Sequence, residues 1–139
     1  MDALPEWEEG AVAILSTIGD APHAIPVSTA VRAGPRRVLL ALALRRRSLA
    51  LLRDRPRVAL TILARDVAVT AHCRATVVED PMAASDRVAA VALDVESIQD
   101  HDQPTFVIEE GVRWRWVDDG AREADAAIRA GLRALAEGA

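Results

Sequence analysis

Three consecutive arginines, Arg45, Arg46 and Arg47, followed by Ser48, stand between the apolar run Ala41-Leu42-Ala43-Leu44 and a short helical stretch, Ser48 to Asp54. A strand handing over to a helix is a place to hold an anion. Unpaired backbone N–H groups and the positive end of the helix dipole point outward there, and guanidinium forks add bidentate contacts. The chemistry indicated is the binding of a phosphate group. Charge runs at element boundaries also occur as plain solvated turns. Three adjacent guanidiniums, however, repel one another unless something negative sits among them, and the rest of the chain must decide.

The elements that would position these residues read mainly as strands. Pro5 to Gly10 forms a short helix or turn. Ala11 to Ile18, His23 to Arg32 and Arg37 to Leu44 follow as a meander, broken at Gly19-Asp20-Ala21-Pro22 and Ala33-Gly34-Pro35. After the Ser48 to Asp54 helix, Arg57 to Ala64 and Val67 to Glu79 pair across Arg65-Asp66. Asp80-Pro81 then starts a helical segment to about Arg87. In Val88 to Ile98, Val91, Leu93 and Val95 alternate with Ala92, Asp94 and Glu96, the pattern of a half-buried strand. Thr105 to Ile108 and Val112 to Val117 read as a last hairpin with Trp114 and Trp116 on one face. Glu123 to Ala136 is an amphipathic C-terminal helix.

Many short strands with no alternating βα pattern predict an antiparallel barrel, mainly β with short helices: one between strands 3 and 4, one at the C-terminus. The 139 residues fit a single domain, 1–139. One cysteine and three histidines give no disulfide and no spaced metal-ligand cluster, so no metal is expected. The acidic start and the lack of a long apolar stretch predict a cytoplasmic protein with no membrane contact.

All 17 basic residues are arginine, and there is no lysine or tyrosine, which excludes Schiff-base chemistry, a Walker P-loop and a phenolic acid. The net charge of -4 and scarcity of aromatics disfavour nucleic acid. No serine has a triad-like context and no carboxylates form a convincing pair. Any chemistry must be carried by a cofactor while the protein supplies position and electrostatics.

Several motifs together resemble one family. These are Leu15-Ser16-Thr17-Ile18-Gly19-Asp20-Ala21-Pro22-His23 with Pro26-Val27-Ser28, then the strand ending at Leu44, then the arginine-bearing helix with Leu52 and Arg53-Asp54-Arg55-Pro56-Arg57-Val58, and finally Cys73-Arg74-Ala75-Thr76-Val77. In order and spacing they resemble the FMN-binding split β-barrel family of pyridoxamine 5'-phosphate oxidase and its relatives, over about Ala11 to Glu79. The resemblance implies a Greek-key-like split barrel that dimerises with itself, with two FMN sites built across the interface. It implies that Ile25, Pro26, Val27, Ser28, Thr29 and Ala30 line the flavin ring and ribityl chain. Ala41 and Leu42 would lie on the neighbouring strand, and Arg45, Arg46, Arg47 and Ser48 would hold the phosphate. Backbone N–H groups of Val27 to Thr29 would stabilise the reduced ring.

Three departures matter. Ser48 stands where relatives usually show lysine, so the phosphate charge falls to Arg45 to Arg47, with Arg53 one turn on as a further cation. Ala68 stands where the oxidases place a polar side chain. Arg113-Trp114-Arg115-Trp116 does not match the oxidases' substrate-gripping motif, so a true pyridoxamine 5'-phosphate oxidase is not expected. The expected function is FMN-dependent two-electron redox of a small organic substrate. A deazaflavin-dependent reductase and a flavin-binding or flavin-sensing protein without turnover are the alternatives. No catalytic side chain is assigned: His23 and His72 read better as ordinary strand residues, and Trp114 and Trp116 as core or dimer-interface residues.

Overall fold

The computed structural model describes residues 1–138. Seven strands and two helices follow in the order β1 (Ala13–Ile18), β2 (Pro22–Val27), β3 (Val31–Gly34), β4 (Arg37–Ala43), α1 (Arg47–Asp54), β5 (Arg57–Ala64), β6 (Val67–Glu79), β7 (Val88–Asp100) and α2 (Asp119–Glu137). All strand pairs are antiparallel, in one sheet of order β2-β1-β5-β6-β7-β4-β3. Because β4 lies beside β7 and not beside β5, the arrangement is Greek-key-like.

The two edges of this sheet are consecutive in the chain. Only Ser28, Thr29 and Ala30 separate β2 at one edge from β3 at the other. A flat sheet of seven strands would hold its edges roughly 29 Å apart. The four peptide steps from Val27 to Val31 reach about 14 Å at most. The sheet must therefore curl until its edges meet, and the run His23 to Arg32 is one extended segment that changes partner midway. This seam makes the fold a split-barrel-like closure. It also moves the mid-chain helix: α1 lies between the fourth and fifth strands, not the third and fourth, because one expected strand pairs as two.

Alternation fills the barrel. Leu15, Leu40, Leu60, Ile62, Val69, Val91 and Leu93 point inward, and α1 closes one end with Leu49 and Leu52. Outside, α2 covers only half of the sheet, packing Ile128, Leu132 and Leu135 on Leu39, Ala41, Ala90 and Ala92. The alanines on β4 and β7 let the helix approach closely, which is why those strands are buried on both faces. Asp118 caps α2, its Oδ1 accepting from the Ala121 amide at 2.8 Å. The outer face of β1, β2 and β5 carries no such cover, leaving Ile14, Ile18 and Leu63 exposed.

Two expected elements are absent. Asp80 to Arg87 forms turns joining β6 to β7 instead of a helix: the Glu79 carboxylate accepts from the Ala83 amide at 2.7 Å, and the Met82 amide bonds the Val88 carbonyl at 2.9 Å. Met82 is thereby tucked under α2. Thr105 to Val117 forms no hairpin. It runs as an irregular strap, tied by the Asp66 amide to the Ile108 carbonyl (3.0 Å) and by the Trp114 indole N–H to the Gly10 carbonyl (2.9 Å). At Gly111 a Cβ would stand 2.8 Å from the Leu63 carbonyl oxygen, so the strap needs glycine to lie against β5. No helix among the described residues is long and apolar enough to cross a membrane.

Candidate functional site

The arginine run forms the approach to α1. Arg45, Arg46 and Arg47 are exposed, and among the described residues none of the three makes an ion pair or a side-chain hydrogen bond. Arg46 is the N-cap, yet no side chain caps the helix and its first turn holds no acid. The positive end of the helix is therefore uncompensated. One step inside lies Ser48, fully buried, with its Oγ lacking any partner. A buried hydroxyl without a partner costs about 1–3 kcal/mol. Three free guanidiniums and an uncapped helix start are donors of the kind a phosphate takes, and the enclosed Ser48 hydroxyl is a further donor without a partner among the described residues, so by their chemistry these residues fit the phosphate end of a flavin mononucleotide. Arg53 does not join them. It pairs with Asp80 at 2.5 Å and ties α1 to the β6–β7 connection.

The seam lies a short way along β4 from this cluster. Thr29 Oγ1 accepts from the Ala41 amide at 3.0 Å and donates to the Ala41 carbonyl at 3.3 Å, and Ala41 is four residues from Arg45. The structure thus joins Thr29 to Ala41, with Arg45 up to about 13 Å further along the chain. It does not present every expected side chain there. Ile25, Val27 and Leu42 belong to the barrel core and Ala41 faces the α2 cluster. Of Ile25 to Val27 only Pro26 is exposed, on the uncovered outer face. The Thr29 hydroxyl is already engaged in both directions. The Ser28 carbonyl accepts from Arg129 Nη2 at 2.6 Å and the Ala30 carbonyl from the Trp7 indole at 3.0 Å.

Arg129 is the residue that sequence reading missed. It is 4% exposed and its Nε meets Asp125 Oδ2 at 2.5 Å, an i, i+4 pair buried between α2 and the seam. The available signal was that Asp125 and Arg129 share the buried face of α2 with Leu132. Charges on an apolar stripe call for a specific partner, and Arg129 finds one in the Ser28 carbonyl.

The other singled-out residues have quieter roles. Burial, with Asp94 and Glu96 nearby, pushes the Cys73 thiol up to about 12, so it stays protonated and unreactive near neutral pH. His72 is exposed on the outer face of β6. Trp114 and Trp116 do not alternate along a strand; their rings meet edge to face at 4.7 Å beside Gly10. His101 Nε2, Thr70 Oγ1 and Thr61 Oγ1 form a line of hydrogen bonds at 2.7 and 2.8 Å across the outer sheet, which only the register could reveal.

No protein-family model matches the chain, and no curated protein matches it. Solved structures do. A Listeria innocua protein described as a candidate pyridoxamine 5'-phosphate oxidase aligns with a TM-score of 0.56 at 15% identity, over 67% of this chain and 90% of that one. An F420 reductase aligns with a TM-score of 0.58 at 13% identity, over 69% and 98%. The styrene monooxygenase flavin reductase of Pseudomonas putida S12 aligns with a TM-score of 0.54 at 12% identity, over 68% and 82%. The fold is that of pyridoxamine 5'-phosphate oxidase-like and flavin reductase proteins.

Proposed function

We propose that the protein binds FMN by its phosphate at the start of α1 and serves as a two-electron oxidoreductase for a small organic substrate in the cytoplasm. The observation that carries this reading is Ser48: a fully buried hydroxyl without a partner, beside three unpaired arginines at an uncapped helix start. A phosphate satisfies all of these groups at once. Arg45, Arg46 and Arg47 clamp its oxygens, the Ser48 hydroxyl donates to it, and the backbone from Val27 to Thr29 lies alongside as the wall toward the ring. When bound, the flavin supplies the hydride chemistry that no side chain of this protein offers. The shared fold with flavin reductases supports the same reading.

The F420 reductase among the structural neighbours favours a second reading, a deazaflavin coenzyme held by the same arginines. Self-association belongs to both. Ile14, Leu63, Val107 and Val112 are exposed on and beside the half of the sheet that α2 leaves open, a surface suited to a second copy. Fluorescence titration with FMN, riboflavin and a deazaflavin tests the proposal. FMN binds more tightly than riboflavin, and Arg47→Ala weakens FMN about 10- to 150-fold, the worth of a charge-assisted hydrogen bond, without touching riboflavin. Equal affinities for FMN and riboflavin would overturn the phosphate assignment.

A further inference from the structure

The open face of the sheet carries a cavity of about 350 Å³ that the phosphate cluster does not use. It lies toward the C-terminal end of α1, where Arg55 passes to Arg57. Register builds it. Ser16, Ala59 and His72 are direct partners across β1, β5 and β6, so a small residue floors the middle. Ile18 and Pro22 give it an apolar wall. On β7 the ladder skips a residue: His72 pairs with Ser97 and Cys73 with Val95, leaving Glu96 as the extra residue of a bulge. Bulges re-aim side chains. Glu96 lines the cavity, and Arg36 Nη2 holds its carbonyl at 2.5 Å.

The charges in this cavity are separated and uncompensated. Arg57 lies on β5 and Glu96 on β7, two strands or about 10 Å apart. Neither forms an ion pair among the described residues. Arg74 stands directly opposite Arg57, with Asp94 as its own partner on β7, and makes no ion pair among the described residues, so the like charges of Arg57 and Arg74 face each other. Across β7, Asp94 is already engaged by Arg37 at 3.6 Å. The β7 end is negative, since Asp94 and Glu96 both stand exposed there.

We propose that this groove binds a small zwitterion of the ω-amino acid class, its carboxylate on Arg57 and its ammonium on Glu96, with Ala59 beneath the methylene chain and Ile18 and Pro22 beside it. Its volume falls in the range of small-molecule sites. The pairing asks for both charges on one ligand, because a lone anion leaves Glu96 uncompensated and a lone cation leaves Arg57 and Arg74 facing each other. The site shares no residue with the phosphate cluster, and it lies at the Ile18 end of β1, away from the Ile14 and Leu63 end offered for self-association.

The test is calorimetry of the full chain with 4-aminobutyrate, butyrate and butylammonium, with amide shift mapping by NMR. We expect 4-aminobutyrate to bind at least about tenfold more tightly than either singly charged analogue. Its shifts should centre on Ser16, Ala59 and His72. Arg57→Gln should reduce 4-aminobutyrate to the level of butylammonium, and Glu96→Gln to the level of butyrate. Both side chains are exposed, so the variants keep the fold, and the wild-type shift map reads the site without them. Absence of saturable 4-aminobutyrate binding, equal affinity for all three probes, or shifts centred elsewhere would overturn the proposal.

Discussion

Replacing Ser48 by alanine should strengthen the free protein and weaken its hold on FMN. Ser48 Oγ is buried and has no partner, so folding strips it of water and gives nothing back, a penalty of about 1–3 kcal/mol. Removing the oxygen relieves that penalty and opens a void smaller than a methyl group, which costs up to about 1 kcal/mol. The net gain is about 0–3 kcal/mol. With an unfolding entropy near 2.1 cal/mol/K per residue over 139 residues, that raises Tm by up to about 10 °C. Bound phosphate would accept from the same hydroxyl, a charge-assisted bond worth about 1.5–3 kcal/mol, so Ser48→Ala should bind FMN about 10- to 150-fold less tightly. Riboflavin, lacking the phosphate, should be indifferent. Thermal melts with and without FMN, with fluorescence titrations of both ligands, read the two effects separately. A drop in Tm of the ligand-free variant, or unchanged FMN affinity, would refute the reasoning.

Two further outcomes follow from buried groups. Arg129→Met leaves Asp125 charged and the Ser28 carbonyl unpartnered in a buried site, so it should cost about 3–5 kcal/mol in urea unfolding; adding Asp125→Leu should recover most of it, and a loss under about 1 kcal/mol for the single variant would contradict the pairing. The folded Cys73 thiol ionises at about 12 against an ordinary 9.0, so the unfolded chain releases a proton first as pH rises. Stability should fall between those values by up to about 1.4 kcal/mol per pH unit. Cys73→Ala should lack that component, and identical alkaline profiles would show the thiol to be accessible.

Local signals served wherever an element is decided by its own residues. Arg57 to Ala64 and Val67 to Glu79 form with the expected bounds, because their alternation matches one wet and one dry face. The strand nature of Val88 onward was also legible, although α2 buries both faces of Ala89 to Leu93 and the alternation of wet and dry begins only at Asp94. Partner choice was not: nothing in His23 to Arg32 tells which residues pair with β1 and which with β4. Arg113 to Trp116 alternates as a strand would, yet Trp114 is held by Gly10, far back in the chain, and no ladder forms. The arginine run was visible in charge alone, whereas the orphaned Ser48 hydroxyl is a fact of packing. The Arg57–Arg74 opposition and the Glu96 bulge exist only once register is fixed.

The seam also sets an order of assembly. The carbonyl of Ser28 finds its donor in Arg129, a separation of 101 residues, while Ala30 takes its donor from Trp7, 23 residues before it. During synthesis the barrel strands are complete long before α2 is made. One face of β3, β4 and β7, rich in Leu39, Ala90 and Ala92, then waits uncovered. Covering of that face therefore belongs to the last stage of folding, at the cost of a long loop. Until α2 docks, the nascent chain is a nearly finished barrel with an uncovered apolar face, the kind of surface on which chains associate.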